Sequence, residues 1–189
     1  MSTRGATKEG IISTGIKMFI EHGFDKVTIN QICQEINVTK TAFYYYFKSK
    51  DDLISEFFTV DNLLSNEDLI HILSASDYAN QAMKAMEIYI NHIVRSGLEL
   101  TKEYYRVLMR NEIIPLDKGK STVLGSIVPT LLQKAIDAGQ LKNPSSAEDL
   151  HDSMCCIANG VCLHWVIEGG AFNPLELSRK RFENLLIVN

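Results

Sequence analysis

The 189-residue sequence predicts an all-α protein. Three observations favour this fold class. Apolar residues recur at helical spacing almost throughout the chain, few runs alternate as strands do, and no repeat of fixed period is present. Hydrophobic residues make up 46% of the chain and charged residues 22%, and at this length the chain suits either one medium domain or a small domain joined to a larger one.

Charge is distributed unevenly along the chain. Residues 1–50 carry seven basic and four acidic side chains, a net charge of +3, whereas residues 51–189 carry 12 basic and 19 acidic ones, a net charge of −7. This asymmetry suggests a basic unit that binds a polyanion and an acidic remainder that does not. We expect two domains, residues 1–50 and residues 51–189.

Several classes of protein are disfavoured by what the sequence lacks. It has neither a secretory signal pattern nor a run of about eighteen apolar residues, so we expect a cytoplasmic protein without a membrane partner. It has no HExxH, GxSxG or phosphate-binding glycine loop, so we expect neither an enzyme nor a cofactor. The four cysteines form no CxxC pair and are interpreted as buried apolar residues.

The first two helices are predicted from their boundary signals. Apolar spacing indicates a helix from about Lys8 to His22, and Gly23 is a typical C-terminal stop. The second helix begins at Thr28, where "TINQ" matches a capping box: the Thr28 hydroxyl caps the backbone N–H of Gln31, and the Gln31 side chain reaches back.

The third helix follows a tight turn, "EINVT". Asn37 tolerates a left-handed backbone conformation, and Thr39 can cap the next helix. Two short helices joined in this way have the layout of a helix-turn-helix, in which the second helix lies in the major groove of DNA.

The stretch "TKTAFYYYFKSKDDL" divides into two faces. Phe43 and Phe47 lie four residues apart and are expected to pack on the second helix. The outward face, which we expect to meet DNA, then holds Lys40, Thr41, Tyr44 and Tyr45.

About six more helices complete the prediction and bring the total to about nine. "SKDD" indicates a capped fourth helix near Lys50. Five longer helices are expected in "DYANQAMKAMEIYINHIVRSG", "LELTKEYYRVLMRNEI", "STVLGSIVPTLLQKAIDAG", "SSAEDLHDSMCCIANGVCLHWVIEGG" and "PLELSRKRFENLLIV". An all-helical body attached to a basic reading unit suggests a sensor.

The segment "VTINQICQEINVTKTAFYYYFKSKDDL" resembles the helix-turn-helix of the TetR (tetracycline-repressor) family of bacterial transcriptional regulators. Shared features are a Thr at the start of the second helix, a short turn, an aromatic-Tyr-x-x-Phe recognition helix and a following Ser-Lys-acid-acid-Leu. The resemblance covers about residues 8–54 and is only architectural beyond them. Asn37 stands where the family usually has Gly, and Gly15 and Cys33 where it often has Ala.

The resemblance implies specific DNA contacts. Thr28, Tyr44 and Lys50 fall where the family binds phosphates, and Thr39 and Tyr46 are additional backbone contacts. Lys40, Thr41 and Tyr45 fall where bases are contacted. A lysine suits the O6/N7 edge of guanine and a threonine methyl suits the thymine methyl, whereas phosphate contacts only position the protein.

The resemblance also implies a dimeric regulator that binds a near-palindromic operator and responds to a small molecule. Repression with release by an inducer is the favoured form, and activation is the alternative. A mostly apolar cavity is expected among the helices at about 80 to 138, with polar groups that orient the ligand. The candidates for these groups are Tyr89, His92, Tyr104 and Tyr105.

Two other modes of control stay open. One is a partner protein in place of a small molecule. The other is metal or redox sensing, because His151 and Cys155 lie four residues apart on one helix and Cys162 lies two turns further on. A core role fits these residues better, since that helix is apolar on nearly every side, and we predict no metal site.

The dimer is predicted from the same helix, because a helix that is hydrophobic all round must be buried on both sides. The final helix can lie beside it, so that two helices from each subunit form a four-helix bundle of two-fold symmetry. The predicted interface residues are Met154, Ile157, Val161, Trp165, Phe182 and Leu186.

Overall fold

The computed structural model describes residues 7–59, 64–111 and 122–186. Within these ranges the chain forms ten α-helices and one 3-10 turn (Phe24–Lys26), with no β-strand, so the all-α prediction is confirmed. The helices are α1 Lys8–His22, α2 Ile29–Glu35, α3 Lys40–Tyr46, α4 Lys50–Phe57, α5 Asn66–Leu73, α6 Tyr78–Ser96, α7 Leu98–Arg110, α8 Val123–Asp137, α9 Ala147–Ile167 and α10 Pro174–Leu186. No helix in the described ranges is both long enough and apolar enough to cross a membrane.

The described residues divide into two compact units. Residues 7–58 and 99–111 form the first unit, which we call the head unit; residues 59, 64–98 and 122–186 belong to the second, which we call the body unit. The head unit therefore extends past the predicted boundary at residue 50 and includes most of α7.

The helices of the head unit begin where their capping residues predict. The Thr28 hydroxyl accepts a hydrogen bond from the backbone N–H of Gln31, and the Gln31 side chain accepts one from the backbone N–H of Thr28, which completes the capping box. The hydroxyl of Thr39 caps α3 by accepting from the backbone N–H of Ala42, and that of Ser49 caps α4 by accepting from the backbone N–H of Asp52. Asn37, in the turn between α2 and α3, has a φ of 53°, the left-handed conformation that Asn tolerates best after glycine.

The core of the head unit lies between α1, α2, α3 and α4. Its centre is formed by fully buried apolar side chains: Ile11, Ile32, Phe43, Leu53 and Ile54. At Gly15 a Cβ atom would lie 2.9 Å from Cδ1 of Leu53, so a larger residue there would require the Leu53 side chain to shift. Lys8 of α1 also forms an ion pair with Glu56 of α4.

Helix α7 packs in the same unit through aromatic side chains. The rings of Tyr104 and Phe58 stack with 4.2 Å between their centroids and an angle of 17° between their planes. Tyr104 and Tyr105 are both buried. This contact joins the second half of α7 to the residue that ends α4.

The body unit is built around α6, which packs against α5, α8, α9 and α10. The side chain of Gln140, after α8, accepts hydrogen bonds from the first two backbone N–H groups of α6. Glu87 of α6, a buried carboxylate, is paired with Arg179 of α10 at 2.7 Å. Burial of a carboxylate requires such a partner.

One helix was not predicted. Helix α5 is eight residues long and begins at Ser65, whose hydroxyl accepts from the backbone N–H of Asp68 in a second capping box. Most of its large apolar side chains are exposed, so it lacks the buried stripe from which longer helices are recognised.

Helix α9 has one exposed face, and most of the residues predicted for a dimer interface lie away from it. Five of the six residues assigned to a dimer interface lie inside their own unit: Met154, Val161, Trp165, Phe182 and Leu186, each at most 9% exposed. Ile157 is half-buried. The exposed face of α9 carries Cys156, Gly160 and Ile167, so the described residues of its own unit do not bury the helix on every side.

Candidate nucleic-acid interface

The two faces of α3 are separated as the sequence predicts. Phe43 and Phe47 are at most 1% exposed, with their ring centroids 5.7 Å apart. On the opposite side Tyr44 is 54% and Tyr45 81% exposed. Lys40 and Thr41 are exposed as well. We call this outward surface of α3 the reading face. It offers the ammonium of Lys40, the hydroxyl and methyl groups of Thr41, and the phenol groups of Tyr44 and Tyr45.

The hydroxyl groups at the helix starts are already engaged in capping. The Thr28 hydroxyl both accepts from the backbone of Gln31 and donates to the Gln31 side chain at 2.8 Å. The Thr39 hydroxyl accepts from the backbone N–H of Ala42 at 3.1 Å. Both threonines are exposed, so their positions at the first turns of α2 and α3 are open to an approaching anion.

Tyr46 differs from its two neighbours because it is half-buried. Its ring meets that of Tyr45 edge to face, with 4.8 Å between centroids, and lies 6.4 Å from that of Phe47. The ring of Tyr46 thus supports the exposed ring of Tyr45 from behind.

Lys50, at the start of α4, donates hydrogen bonds to two backbone carbonyls. Its ammonium lies 2.7 Å from the carbonyl oxygens of both Phe24 and Val27, and 4.4 Å from the centre of the Phe24 ring. Burial lowers the pKa of this lysine, although Asp25 and Asp51 act in the opposite direction. The contacts tie α4 to the turn that leads into Thr28.

The next residue, Asp51, binds α7. Its carboxylate accepts from the Arg110 guanidinium, with Nε 3.2 Å away, and from the Asn111 amide at 3.0 Å. Arg110 also lies 3.6 Å from Glu103, whose side chain is only 9% exposed and which Arg106 approaches to 3.2 Å. These charged and amide groups, which we call the α4–α7 polar cluster, hold the first turn of α4.

Neither the carbonyl contacts of Lys50 nor the α4–α7 polar cluster was predicted from the sequence. Lys50 is 26 and 23 residues from its two partners, and Asp51 is 59 from Arg110. No periodicity or capping rule connects residues at such separations.

The predicted ligand-orienting residues are divided between the two units. Tyr104 and Tyr105 belong to the head unit and are buried there. Tyr89 and His92 are half-buried on α6 in the body unit, where the Tyr89 hydroxyl donates to Asn159 of α9 at 3.0 Å. The structure therefore does not gather the four residues within one unit.

Comparison with known proteins agrees with this geometry. A family model described as bacterial regulatory proteins of the tetR family matches residues 11–57. The chain is 26% identical over 187 residues to the transposon Tn10 TetC protein of Escherichia coli, a match that covers 96% of this chain and 88% of that protein. Residues 11–57, which include the helix-turn-helix, therefore belong to the TetR family. A 50-residue segment is also 40% identical to the probable acrEF/envCD operon repressor of E. coli K12, and covers 26% of this chain and 23% of that protein.

Solved structures of transcriptional regulators share the fold over nearly the whole chain. The crystal structure of Thermus thermophilus FadR, a TetR-family transcriptional repressor in complex with lauroyl-CoA, matches with a TM-score of 0.73 and 16% identity, over 96% of this chain and 93% of that one. FadR from Bacillus subtilis in complex with stearoyl-CoA matches with a TM-score of 0.60 and 16% identity, over 95% and 98%. The likeness therefore extends from the helix-turn-helix through the body unit.

The contacts of Lys50 predict a stability effect. Lys50→Met keeps most of the aliphatic stem but removes the donors from the carbonyls of Phe24 and Val27. We expect a loss of about 1 to 2 kcal/mol in the free energy of unfolding, measured by urea denaturation. Lys48→Met, at an exposed position two residues earlier, is the control, with an expected change within about 0.5 kcal/mol. Equal stability of the two variants would rule out a structural role for the Lys50 ammonium.

Proposed function

We propose that this protein is a cytoplasmic TetR-type transcriptional repressor that binds a near-palindromic operator as a homodimer and is released by a small molecule. The orientation of α3 is the observation that supports DNA binding. Because Phe43 and Phe47 occupy the core, the groups able to contact bases lie together on the reading face. Repression is favoured because related proteins such as the probable acrEF/envCD operon repressor carry that description.

The exposed side chains divide into two roles in this proposal. Lys40, Thr41 and Tyr45 contact base edges in the major groove. The phosphate contacts are Thr28, Thr39, Tyr44, Tyr46 and Lys50. Within the described residues, two of the three Lys50 ammonium protons are used by carbonyls, so one is left to donate to a phosphate oxygen.

The division of roles is tested with Lys40→Ala and Tyr44→Phe. DNA is first selected from a random-sequence library with the wild-type protein, and affinities are then measured over a range of salt concentrations. Lys40→Ala should cost roughly 1 to 3 kcal/mol and relax the preference at one base pair. Tyr44→Phe should weaken all sequences about equally. An unchanged sequence preference for Lys40→Ala would exclude Lys40 from base contacts, and failure of the wild type to select any sequence would overturn the DNA-binding function.

The proposed dimer interface is the exposed face of α9 together with the outer face of α10. Residues of α9 at helical spacing form an apolar strip of Cys156, Gly160, Leu163 and Ile167, in which Ile167 is 71% exposed. A Cβ atom at Gly160 would have no described neighbour within 4 Å, so a second helix can approach closely there.

The outer face of α10 contributes a groove of about 590 Å³, lined by Phe172, Asn173, Glu176, Leu177, Arg179, Lys180 and Glu183. An isologous interface brings the same patch of both subunits together, so its charges must be self-complementary. Two acidic and two basic side chains line the groove, so each subunit offers charges of both signs, and Arg179 is also paired with Glu87 of its own subunit.

Charging the apolar strip should separate the subunits without unfolding them. Ile167→Glu places a carboxylate at a position that is exposed in the protomer, so the free energy of unfolding of the protomer should change little. We expect a monomer by sedimentation velocity and weaker operator binding, because one head makes too few cationic contacts at physiological salt. The matched control is Leu73→Glu on α5, 68% exposed, which should stay dimeric. A dimeric Ile167→Glu protein with full DNA affinity would move the interface elsewhere.

The effector is proposed to bind in the body unit, with Tyr89 and His92 of α6 as orienting groups. Helix α6 of the body unit has a long apolar face, and the buried residues on this face include Met83, Met86 and Ile90. Long-chain acyl-CoA esters are the first compounds to test, since the two FadR proteins of similar fold bind lauroyl-CoA and stearoyl-CoA. Induction also requires tighter binding to the conformation that does not fit the operator.

Lauroyl-CoA should raise the thermal unfolding midpoint and lower the affinity for selected DNA. At 100 times its Kd a ligand adds about 2.7 kcal/mol of stability. Coenzyme A and laurate alone are the controls, and Tyr89→Phe should reduce the shift. Absence of a shift with acyl-CoA esters would exclude that class, and tight binding that left DNA affinity unaltered would remove the induction mechanism.

A further inference from the structure

Helices α9 and α6 of the body unit share a polar strip that DNA binding does not use. Cys155 Sγ lies 3.4 Å from Nε2 of His151, one turn earlier on α9. One turn later, the Asn159 side chain donates to the carbonyl of Cys155 at 2.9 Å and accepts from the Tyr89 hydroxyl of α6 at 3.0 Å. In this strip the Cys155 thiol contacts the His151 imidazole, and Asn159 holds the backbone carbonyl of Cys155.

The other three cysteines lack this arrangement. Burial raises the pKa of Cys162 to about 12 and raises that of Cys33, although Lys40 acts against the shift at Cys33. Cys156 is exposed, but no hydrogen bond joins its thiol to a described histidine. Cys155 alone among the four combines partial exposure with a described imidazole contact.

A metal ion suits this strip poorly. Tetrahedral zinc takes four protein ligands in structural sites and three in catalytic ones. No group of three or more His, Cys, Asp and Glu side chains in the described ranges is placed to hold a metal. A thiol paired with an imidazole, by contrast, is the arrangement that activates cysteine as a nucleophile.

We propose that Cys155 is a covalent acceptor for soft carbon electrophiles of the α,β-unsaturated carbonyl class, with His151 as the proton acceptor. His151 Nε2 takes the thiol proton as Sγ bonds to the β-carbon of the electrophile. The π electrons move onto the α-carbon and carbonyl oxygen as an enolate, which the imidazolium then protonates at the α-carbon. The product is a thioether, and the step consumes no oxidant or reductant.

The adduct would alter the packing of α9 against α6. Its carbon chain must fit beside Asn159, whose side chain bridges the Cys155 carbonyl and Tyr89. A change in operator affinity on modification rests on the proposed function, whereas the reactivity of Cys155 does not.

The reactivity is measured on the full chain with N-ethylmaleimide, a cyclic α,β-unsaturated imide. Cys156→Ser is used as the background, so that the adjacent thiol does not confuse the assignment. Native protein is treated at pH 7 for increasing times, quenched with isotope-labelled reagent in urea, and digested. Fragment spectra then give separate rates for Cys33, Cys155 and Cys162. Denatured protein gives the rate of each unassisted thiol.

Native Cys155 should react at least about fivefold faster at pH 7 than the same cysteine in urea, whereas Cys33 and Cys162 should be protected. His151→Gln should remove the acceleration of Cys155 at pH 7. The Cys155 rates of the His151→Gln variant and of the protein that keeps His151 should converge near pH 9.5, where ordinary thiols ionise. Tyr89 and His92 on α6 and Asp152 and Cys162 on α9 are the other titratable groups on these two helices close to the strip in sequence, so Asp152→Asn is included and should keep the acceleration. Thermal unfolding midpoints verify that each variant is folded.

A native rate for Cys155 no higher than its rate in urea would overturn the proposal, and so would an unchanged rate in folded His151→Gln. A second arm compares DNA affinity before and after modification, with Cys155→Ser as the insensitive control. Modification that leaves DNA affinity unchanged would reject only the regulatory use of the site. Failure of DNA binding in the untreated protein concerns the proposed function and leaves the labelling result intact.

Discussion

Burial of Phe43 and Phe47 is the constraint on which the candidate DNA surface depends. Both rings lie in the core of the head unit, and burying a phenylalanine contributes about 1.5 to 3 kcal/mol. Rotating α3 by one residue, about 100°, would expose Phe43 and force the hydroxyl of Tyr44 into an apolar core, where an unpaired hydroxyl costs a further 1 to 3 kcal/mol, roughly. The run of aromatic residues therefore has only one favourable setting. That setting puts Tyr44 and Tyr45 on the outside, together with Lys40.

The start of the helix-turn-helix is in turn held by α4. Lys50 holds the turn before α2 through two carbonyls, and Asp51 is held by Arg110 and Asn111 of α7. One turn of helix thus contacts both the start of the helix-turn-helix and the end of α7. A lysine ammonium suits this role because it offers three donors from a flexible stem.

Sequence reasoning succeeded where the determining interactions are local. The caps at Thr28 and Thr39 involve residues three positions apart, and the faces of α3 follow from a spacing of four, so both could be predicted. It failed where distant segments meet, as at Lys50 and at the α4–α7 polar cluster. On α9, an apolar residue pattern does not say which side of the helix the same subunit covers. The core took Met154 and Trp165, and the exposed face was left with smaller side chains such as Cys156 and Gly160.

The attachment of α7 to α4 combines a strong apolar contact with weak polar ones. Stacking of Tyr104 on Phe58 buries both rings, whereas the Arg110–Asp51 pair is partly exposed, with side-chain exposures of 54% and 24%. Exposed ion pairs contribute about 1 kcal/mol or less, because water solvates the separated charges. A shift of α7 can therefore exchange the Arg110–Asp51 contacts for water at small cost while the aromatic contact keeps the helix attached. Since Asp51 adjoins Lys50, such a shift changes the surroundings of the residue that ties α4 to the helix-turn-helix, without unfolding the head unit.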